Sequence, residues 1–256
     1  HTHTWREEKL NSILDWDSEY FSIVLPESLR VISSVYLKIE LPACGTGAFK
    51  KYPGIHAIKK VRILSNSSEM YTYDPQLFFH DYLESLSEEA LRAYSRAYVG
   101  SKDTQDGVAR SIMIPFLLPN SSYMGRSGDN LPHGIFPASL GSGRLEFQVT
   151  MNNAAYVAAD PAHIPTSIAG RCSLMYHQVE MDAKREKALA DLRGKYSIMT
   201  RRFTELTNSW QVAAANTPVI LTQYQPQGAV TELILIAVPD TGEEQSDPSR
   251  CGNNYV

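Results

Sequence analysis

Two stretches of this chain alternate apolar and polar side chains with a period of two, and that rhythm constrains the fold more than any other feature. From Ser34 to Leu41, Val35, Leu37, Ile39 and Leu41 share one side, while Ser34, Tyr36, Lys38 and Glu40 share the other. From Arg144 to Met151, Leu145, Phe147, Val149 and Met151 oppose Arg144, Glu146, Gln148 and Thr150. Successive side chains of an extended strand point to opposite faces, so this period marks half-buried strands and is incompatible with a helix. Further strands are expected at Tyr20–Leu25, Ile58–Ser65, Glu69–Tyr73, Arg110–Leu117, Gly134–Leu140 and Cys172–Met181.

Two segments break the rhythm. Asp74-Pro75 reads as an N-cap followed by proline at the first helical position, and Leu77, Phe78, Tyr82 and Leu83 follow at helical spacing. A second start at Ser87 leads to Leu91, Tyr94 and Tyr98 on one face, with Gly100 as a stop. The other helix is expected at Ala183–Lys195, rich in charge, Ala and Leu. Long polar connections fall at Asn120–Gly143 and Asn152–Gly170. Strands resume at Tyr196–Leu206, Trp210–Ala213, Pro218–Tyr224 and Val230–Val238, and a polar tail runs from Pro239 to Val256.

Most neighbouring strands lack a helix between them, so a parallel α/β sheet is disfavoured. An antiparallel sandwich is the expected solution, because two sheets each need a partner for their apolar face. The 256 residues suffice for one or two domains with a sizeable core. The formal net charge of −4 gives no basic excess for phosphate neutralisation, which disfavours a strong nucleic-acid role. Apolar runs such as Leu233–Val238 are too short to cross a bilayer as a helix. The chain opens at His1 without a methionine or a signal peptide, which suggests a trimmed or processed start. Cys44, Cys172 and Cys251 are scattered and odd in number, so they read as small apolar or surface residues in a reducing compartment.

No catalytic, cofactor or metal constellation is expected. The seven histidines form no metal-ligand spacing. His1 and His3 read as part of a loose terminus. His177 shares a strand face with Met175 and Val179 and reads as a satisfied core or interface residue. Gly141-Ser142-Gly143 precedes a strand rather than a helix, so it is no phosphate loop. Asp15 and Asp17, flanking Trp16, read as solvated carboxylates. The charged run Lys184–Lys187 reads as the solvated face of a short helix.

Four stretches of the chain, taken in order, carry a family likeness. Leu29–Pro42, "LRVISSVYLKIELP", has an Ile-Ser pair leading into an alternating strand that ends in Leu-Pro. Tyr52–Leu83 pairs two strands around Asn66-Ser67-Ser68 and then enters the helical stretch at Phe78-Phe79. Ser111–Met151 includes "SIMIPFLLP", "NLPHGIFPASL" and "GRLEFQVTM". Cys172–Asp191, "CSLMYHQVEMDAKREKALAD", runs from a closing strand through an Asp into a charged helix, and Pro218–Val238 follows as a later strand pair. In this order the chain resembles the double-jelly-roll major capsid proteins of nucleocytoplasmic large DNA viruses, virophages and tailless membrane-containing phages. It departs in having Asn66-Ser67-Ser68 where the family often has a Gly-Gly turn.

The resemblance implies an all-β fold: an eight-stranded antiparallel jelly-roll sandwich with short helical insertions, followed by the start of a second jelly roll. The implied boundaries are 18–182 for the first barrel, 183–195 for a linker helix and 196–256 for a partial second barrel. It also implies a structural, non-enzymatic role in the virion of a DNA virus, as a homotrimeric pseudo-hexagonal capsomer of an icosahedral capsid. The implied partners are neighbouring capsomers, minor capsid proteins and an internal membrane, with assembly inside the host cell and no sequence-specific nucleic acid. Phe78, Phe79, Tyr82, Tyr94, Tyr98 and Tyr123 are the candidate subunit-contact residues, since aromatics are enriched at interfaces, and the alternative for the five on helical segments is that they cap one end of the barrel as core. Two rivals stand beside this reading. One is a single-jelly-roll minor capsid or penton protein. The other is a lectin-like jelly-roll binding module using Tyr123, Asp129 and Asn130.

Overall fold

The computed structural model describes residues 2–10, 13–25, 31–50, 52–73, 106–116, 118, 144–160 and 162–191. Eight strands lie among them: β1 (Thr2–Lys9), β2 (Phe21–Val24), β3 (Ile32–Leu41), β4 (Ile58–Ser65), β5 (Ser68–Tyr73), β6 (Arg110–Phe116), β7 (Leu145–Met151) and β8 (Cys172–Glu180). A one-turn helix, α1 (Pro53–Ala57), leads into β4, and α2 (Ala183–Asp191) follows β8.

The pairing is nested. β1 pairs with β8, β2 with β7, β3 with β6 and β4 with β5, all antiparallel. That is the pattern of one long hairpin whose tip is the β4–β5 turn. Pairings of β3 with β8 and of β4 with β7 roll the hairpin over itself. The result is two four-stranded sheets, ordered β1-β8-β3-β6 and β2-β7-β4-β5. This is a jelly-roll sandwich, in which the oily side of each sheet is covered by the other.

The tip follows from local chemistry. Ser65 faces Ser68 across a two-residue turn, with Asn66 at φ 50° and Ser67 at φ 62°. Two consecutive left-handed residues make the turn whose twist matches the flanking strands, and Asn suits the first of them.

The core lies between the sheets. β3 supplies Leu37 and Ile39, β8 Leu174 and Tyr176, and β6 Ile114 and Phe116. Opposite them stand Phe147 and Val149 of β7 with Val61 and Ile63 of β4. Burial of each such side chain contributes roughly 1.5–3 kcal/mol relative to leaving it in water.

Most expected strands fall where the alternation placed them, and β4 matches to the residue. The segment before residue 18 departs from expectation. Thr2–Lys9 is an ordered edge strand, with His3 set opposite Val179, rather than a loose terminus. The barrel therefore includes residues ahead of the boundary expected at 18. Asp182 caps α2, its carboxylate accepting from the Arg185 N–H at 2.9 Å, and Lys184, Arg185 and Lys187 are exposed as expected. The expected strand Gly134–Leu140, the helical stretch Asp74–Tyr98, the loop Asn120–Gly143 and everything beyond Asp191 lie outside the described residues.

Candidate assembly surface

The six candidate contact residues, Phe78, Phe79, Tyr82, Tyr94, Tyr98 and Tyr123, lie outside the described residues, as do Asp129 and Asn130. What the structure does define are the two outer faces of the sandwich, its edge strand β1 and the loop end that ties them together.

The outer face of the β2-β7-β4-β5 sheet is polar and internally paired. Ser22 donates to Glu146 Oε1 at 2.6 Å, and Gln148 Nε2 donates to the same oxygen at 3.1 Å. Arg62 then donates from Nη1 to Gln148 Oε1 at 3.2 Å and from Nε to Glu69 Oε2 at 2.9 Å. Its guanidinium also sits over the Tyr20 ring, 5.9 Å from the centroid. One ladder of side chains thus crosses all four strands. β7 alternates buried and half-buried residues along its whole length, as expected of a sheet with one wet face.

The outer face of the β1-β8-β3-β6 sheet differs. Tyr36 points away from the core yet is 0% exposed, and Ser33, Ser34 and Ser173 are also buried. Register explains part of this. A bulge between Ile32 and Ser34 sets extra backbone opposite His177, and the Ser33 hydroxyl meets His177 Nδ1 at 2.5 Å. The Trp5 indole, on β1, stacks on the His177 ring at 4.7 Å and lies 5.8 Å from the Tyr36 ring. Trp5 itself remains 47% exposed. His177 therefore faces outward, satisfied by Ser33 and Trp5 rather than by the core.

β1 is fastened at its rim. Its outward Glu7 accepts from Lys38 Nζ at 2.8 Å across β8, and this bond holds the Glu7 carboxyl below its ordinary range. Its inward Glu8 accepts from the Tyr176 hydroxyl at 2.8 Å. Burial, with the Glu8 carboxylate beside it, pushes the Tyr176 phenol up to about 12, so it stays a proton donor.

Asp15 proves to be a structural hub rather than a solvated carboxylate. It accepts from the Ser167 hydroxyl at 2.5 Å and from the backbone N–H groups of Ile168 and Trp16, both at 2.9 Å. Trp16 Nε1 donates to the Thr166 carbonyl at 3.0 Å. The β1–β2 connection is thereby tied to the β7–β8 connection. Asp17 accepts from Asn153 Nδ2 at 2.8 Å, which extends the tie. Among the described residues no three His, Cys, Asp or Glu side chains converge as metal ligands. No described helix is long and apolar enough to cross a membrane.

No family model matches the sequence, and no curated protein matches it. Solved structures do. PBCV-1 VP54, fitted into a cryo-EM reconstruction of the virophage Sputnik, superposes with a TM-score of 0.53 at 14% identity, over 75% of this chain and 45% of that one. The Faustovirus major capsid protein superposes with a TM-score of 0.51 at 8% identity, over 73% of this chain and 56% of that one. The chain thus spans about half the length of the proteins it matches. At such identities the likeness is one of fold, and the nested strand order agrees with it: the eight described strands build a jelly-roll barrel with the fold found in viral major capsid proteins.

Proposed function

We propose that this chain is a structural subunit of a viral shell, a double-jelly-roll major capsid protein whose first barrel is described above. The observation that carries the reading is the pairing of all eight strands as one nested hairpin, together with the fold likeness to capsid proteins. In this role the barrel acts mechanically. Two sheets with a continuous apolar filling resist deformation, and their outer faces and loops are left for contacts with other subunits.

The finer proposal is a homotrimer. Two barrels per polypeptide and three polypeptides in a ring give a pseudo-hexagonal capsomer that packs against neighbouring capsomers in an icosahedral virion. Minor capsid proteins and an internal membrane are the proposed inner partners, with assembly inside the host cell. The function proposed is architectural and not catalytic.

The test is the assembly state of the full chain. Light scattering and electron microscopy of the purified protein should give discrete trimers with a hexagonal outline, or shells. A monomer at all concentrations, or a particle with a single barrel per polypeptide, would overturn the trimer of double barrels. The latter result would favour the minor capsid or penton reading.

A further inference from the structure

β1 is joined to the barrel unlike any other strand. Its register with β8 is continuous from Thr2↔Glu180 to Lys9↔Ser173, without a bulge. Yet none of Thr4, Trp5, Arg6, Glu7, Glu8 or Lys9 belongs to the hydrophobic core. Direct partners share a face, so Arg6 and Glu8 lie on the inner side with Tyr176 and Leu174, while Trp5 lies outside with His177. The large apolar side chain of the strand thus points away from the sandwich, and charges occupy the side that should fill it. Attachment rests on backbone hydrogen bonds, the Trp5–His177 stack, the Lys38–Glu7 ion pair and the Tyr176–Glu8 bond.

After β1 the chain is anchored again from Leu14 onward. Ile13 is 87% exposed, and Leu14 next to it is fully buried. Asp15 and Trp16 then lock to residues 166–168. Release of β1 costs the core only the partly buried Leu10, whose N–H donates to the Cys172 carbonyl at 3.1 Å, whereas Leu14 is fully buried within it. A strand held this way opens locally at a fraction of the global unfolding free energy.

We propose that β1 is an exchangeable strand, seated on β8 of its own barrel or, in an assembly, on β8 of a neighbouring copy. This rests on the capsid reading above. The partner is a second copy because the seat is specific: Tyr176, His177 and Lys38 are placed to meet Glu8, Trp5 and Glu7, which every copy supplies. Exchange of an identical element keeps each of these contacts, so proximity and strain in the connection decide which seat is filled. The charges of Arg6, Glu7, Glu8 and Lys9 blunt the strand's free edge and disfavour indiscriminate sheet extension. The five residue steps from Lys9 to Leu14 reach at most about 17 Å, which limits exchange to adjoining subunits.

Two chains with one added cysteine each test this, both carrying Cys251→Ser and keeping only the buried Cys44 and Cys172 besides. One is Glu7→Cys, labelled with 15N, and the other is Met175→Cys, unlabelled; positions 7 and 175 are direct partners across β1 and β8. The chains are mixed, assembled and oxidised, and the disulfide-linked peptide is analysed by mass spectrometry. A peptide joining labelled position 7 to unlabelled position 175 requires β1 of one copy on β8 of another, and is the expected result. The double variant Glu7→Cys/Met175→Cys checks that the pair oxidises within one barrel. Assemblies without the mixed peptide, alongside a double variant that closes only on itself, would refute exchange and leave the capsid reading intact. Chains that never associate would remove both.

Discussion

The ring of Phe116 on β6 stacks on the ring of Phe147 on β7, with centroids 4.7 Å apart and planes 18° from parallel. These strands belong to different sheets, so the pair bridges the sandwich. Phe147 is 0% exposed and Phe116 is 2% exposed. Truncation of Phe147 to alanine should cost about 3–5 kcal/mol, the transfer loss plus the cavity it leaves. Urea denaturation of Phe116→Ala, Phe147→Ala and the double variant should show coupling of about 0.5–1.5 kcal/mol beyond additivity. Strictly additive losses would mean that the stack contributes area and nothing more.

Ser67 sits at φ 62° in the β4–β5 turn, where a side chain is strained and glycine is not. Ser67→Gly should therefore stabilise the barrel, by roughly 0.5–1 kcal/mol once the extra flexibility of the unfolded chain is subtracted. Ser68→Gly, one residue into the strand, should destabilise it. Thermal melts of the two variants should move in opposite directions, and a shared direction would contradict the turn assignment.

Alternation revealed β3 and β7 because each buries an unbroken row of alternate side chains against the opposite sheet. It could not reveal β1. "TWREEK" has no apolar face, and what holds it is backbone pairing with β8 and a tryptophan turned outward. A period-two search detects burial, and β1 has almost none. The ladder of Ser22, Glu146, Gln148, Arg62 and Glu69 was hidden for another reason. Its members come from four strands, and only register brings them together. Asp15 was misread because a carboxylate near a chain start is usually solvated, and its partners lie some 150 positions downstream. The sandwich class was legible from pattern alone, but the nested order of its strands was not. The aromatic contact set lies in segments outside the described residues.

Three carboxylates should make the barrel acid-sensitive. The bond from Lys38 lowers the Glu7 pKa, and bonds from Ser22 and Gln148 lower that of Glu146. At Asp15 burial acts to raise it, and the bonds from Ser167, Ile168 and Trp16 together outweigh burial. A carboxyl with a folded pKa below its unfolded value stabilises the fold above that unfolded value, about pH 4. The contribution is then lost as pH falls through the folded pKa. Denaturation midpoints should drop between about pH 5 and pH 2. Asp15→Asn, which cannot titrate, should start lower and fall less steeply; an unchanged slope would exclude Asp15 from the acid response.

Cys44 and Cys172 are buried free thiols. Burial pushes Cys44 up to about 11, partly offset by Arg110, and Cys172 up to about 12, helped by Asp15 and Glu40. The thiolate is the reactive species, so both should resist alkylation in the folded protein at neutral pH. Mass mapping after iodoacetamide treatment should find them unmodified until denaturant is added. Labelling of Cys172 without unfolding would show that the barrel opens at β8.

Gly107 and Gly45 offer a closing contrast between two reasons for a glycine. A Cβ at Gly107 would stand 2.1 Å from the Gly47 carbonyl oxygen, and the Gly107 carbonyl itself accepts from the Cys44 N–H at 2.9 Å. Backbone must move to admit it, so Gly107→Ala should break this pairing and cost about 1–3 kcal/mol or more. At Gly45 nothing lies within 4 Å, and the constraint is its φ of 61°. Gly45→Ala should cost only about 1 kcal/mol from left-handed strain, and Gly45→Asn less, because asparagine tolerates that region. Asparagine at 107 should fare no better than alanine, because the obstacle there is space. If asparagine rescued both positions equally, close packing of the two loops would not be what holds Gly107.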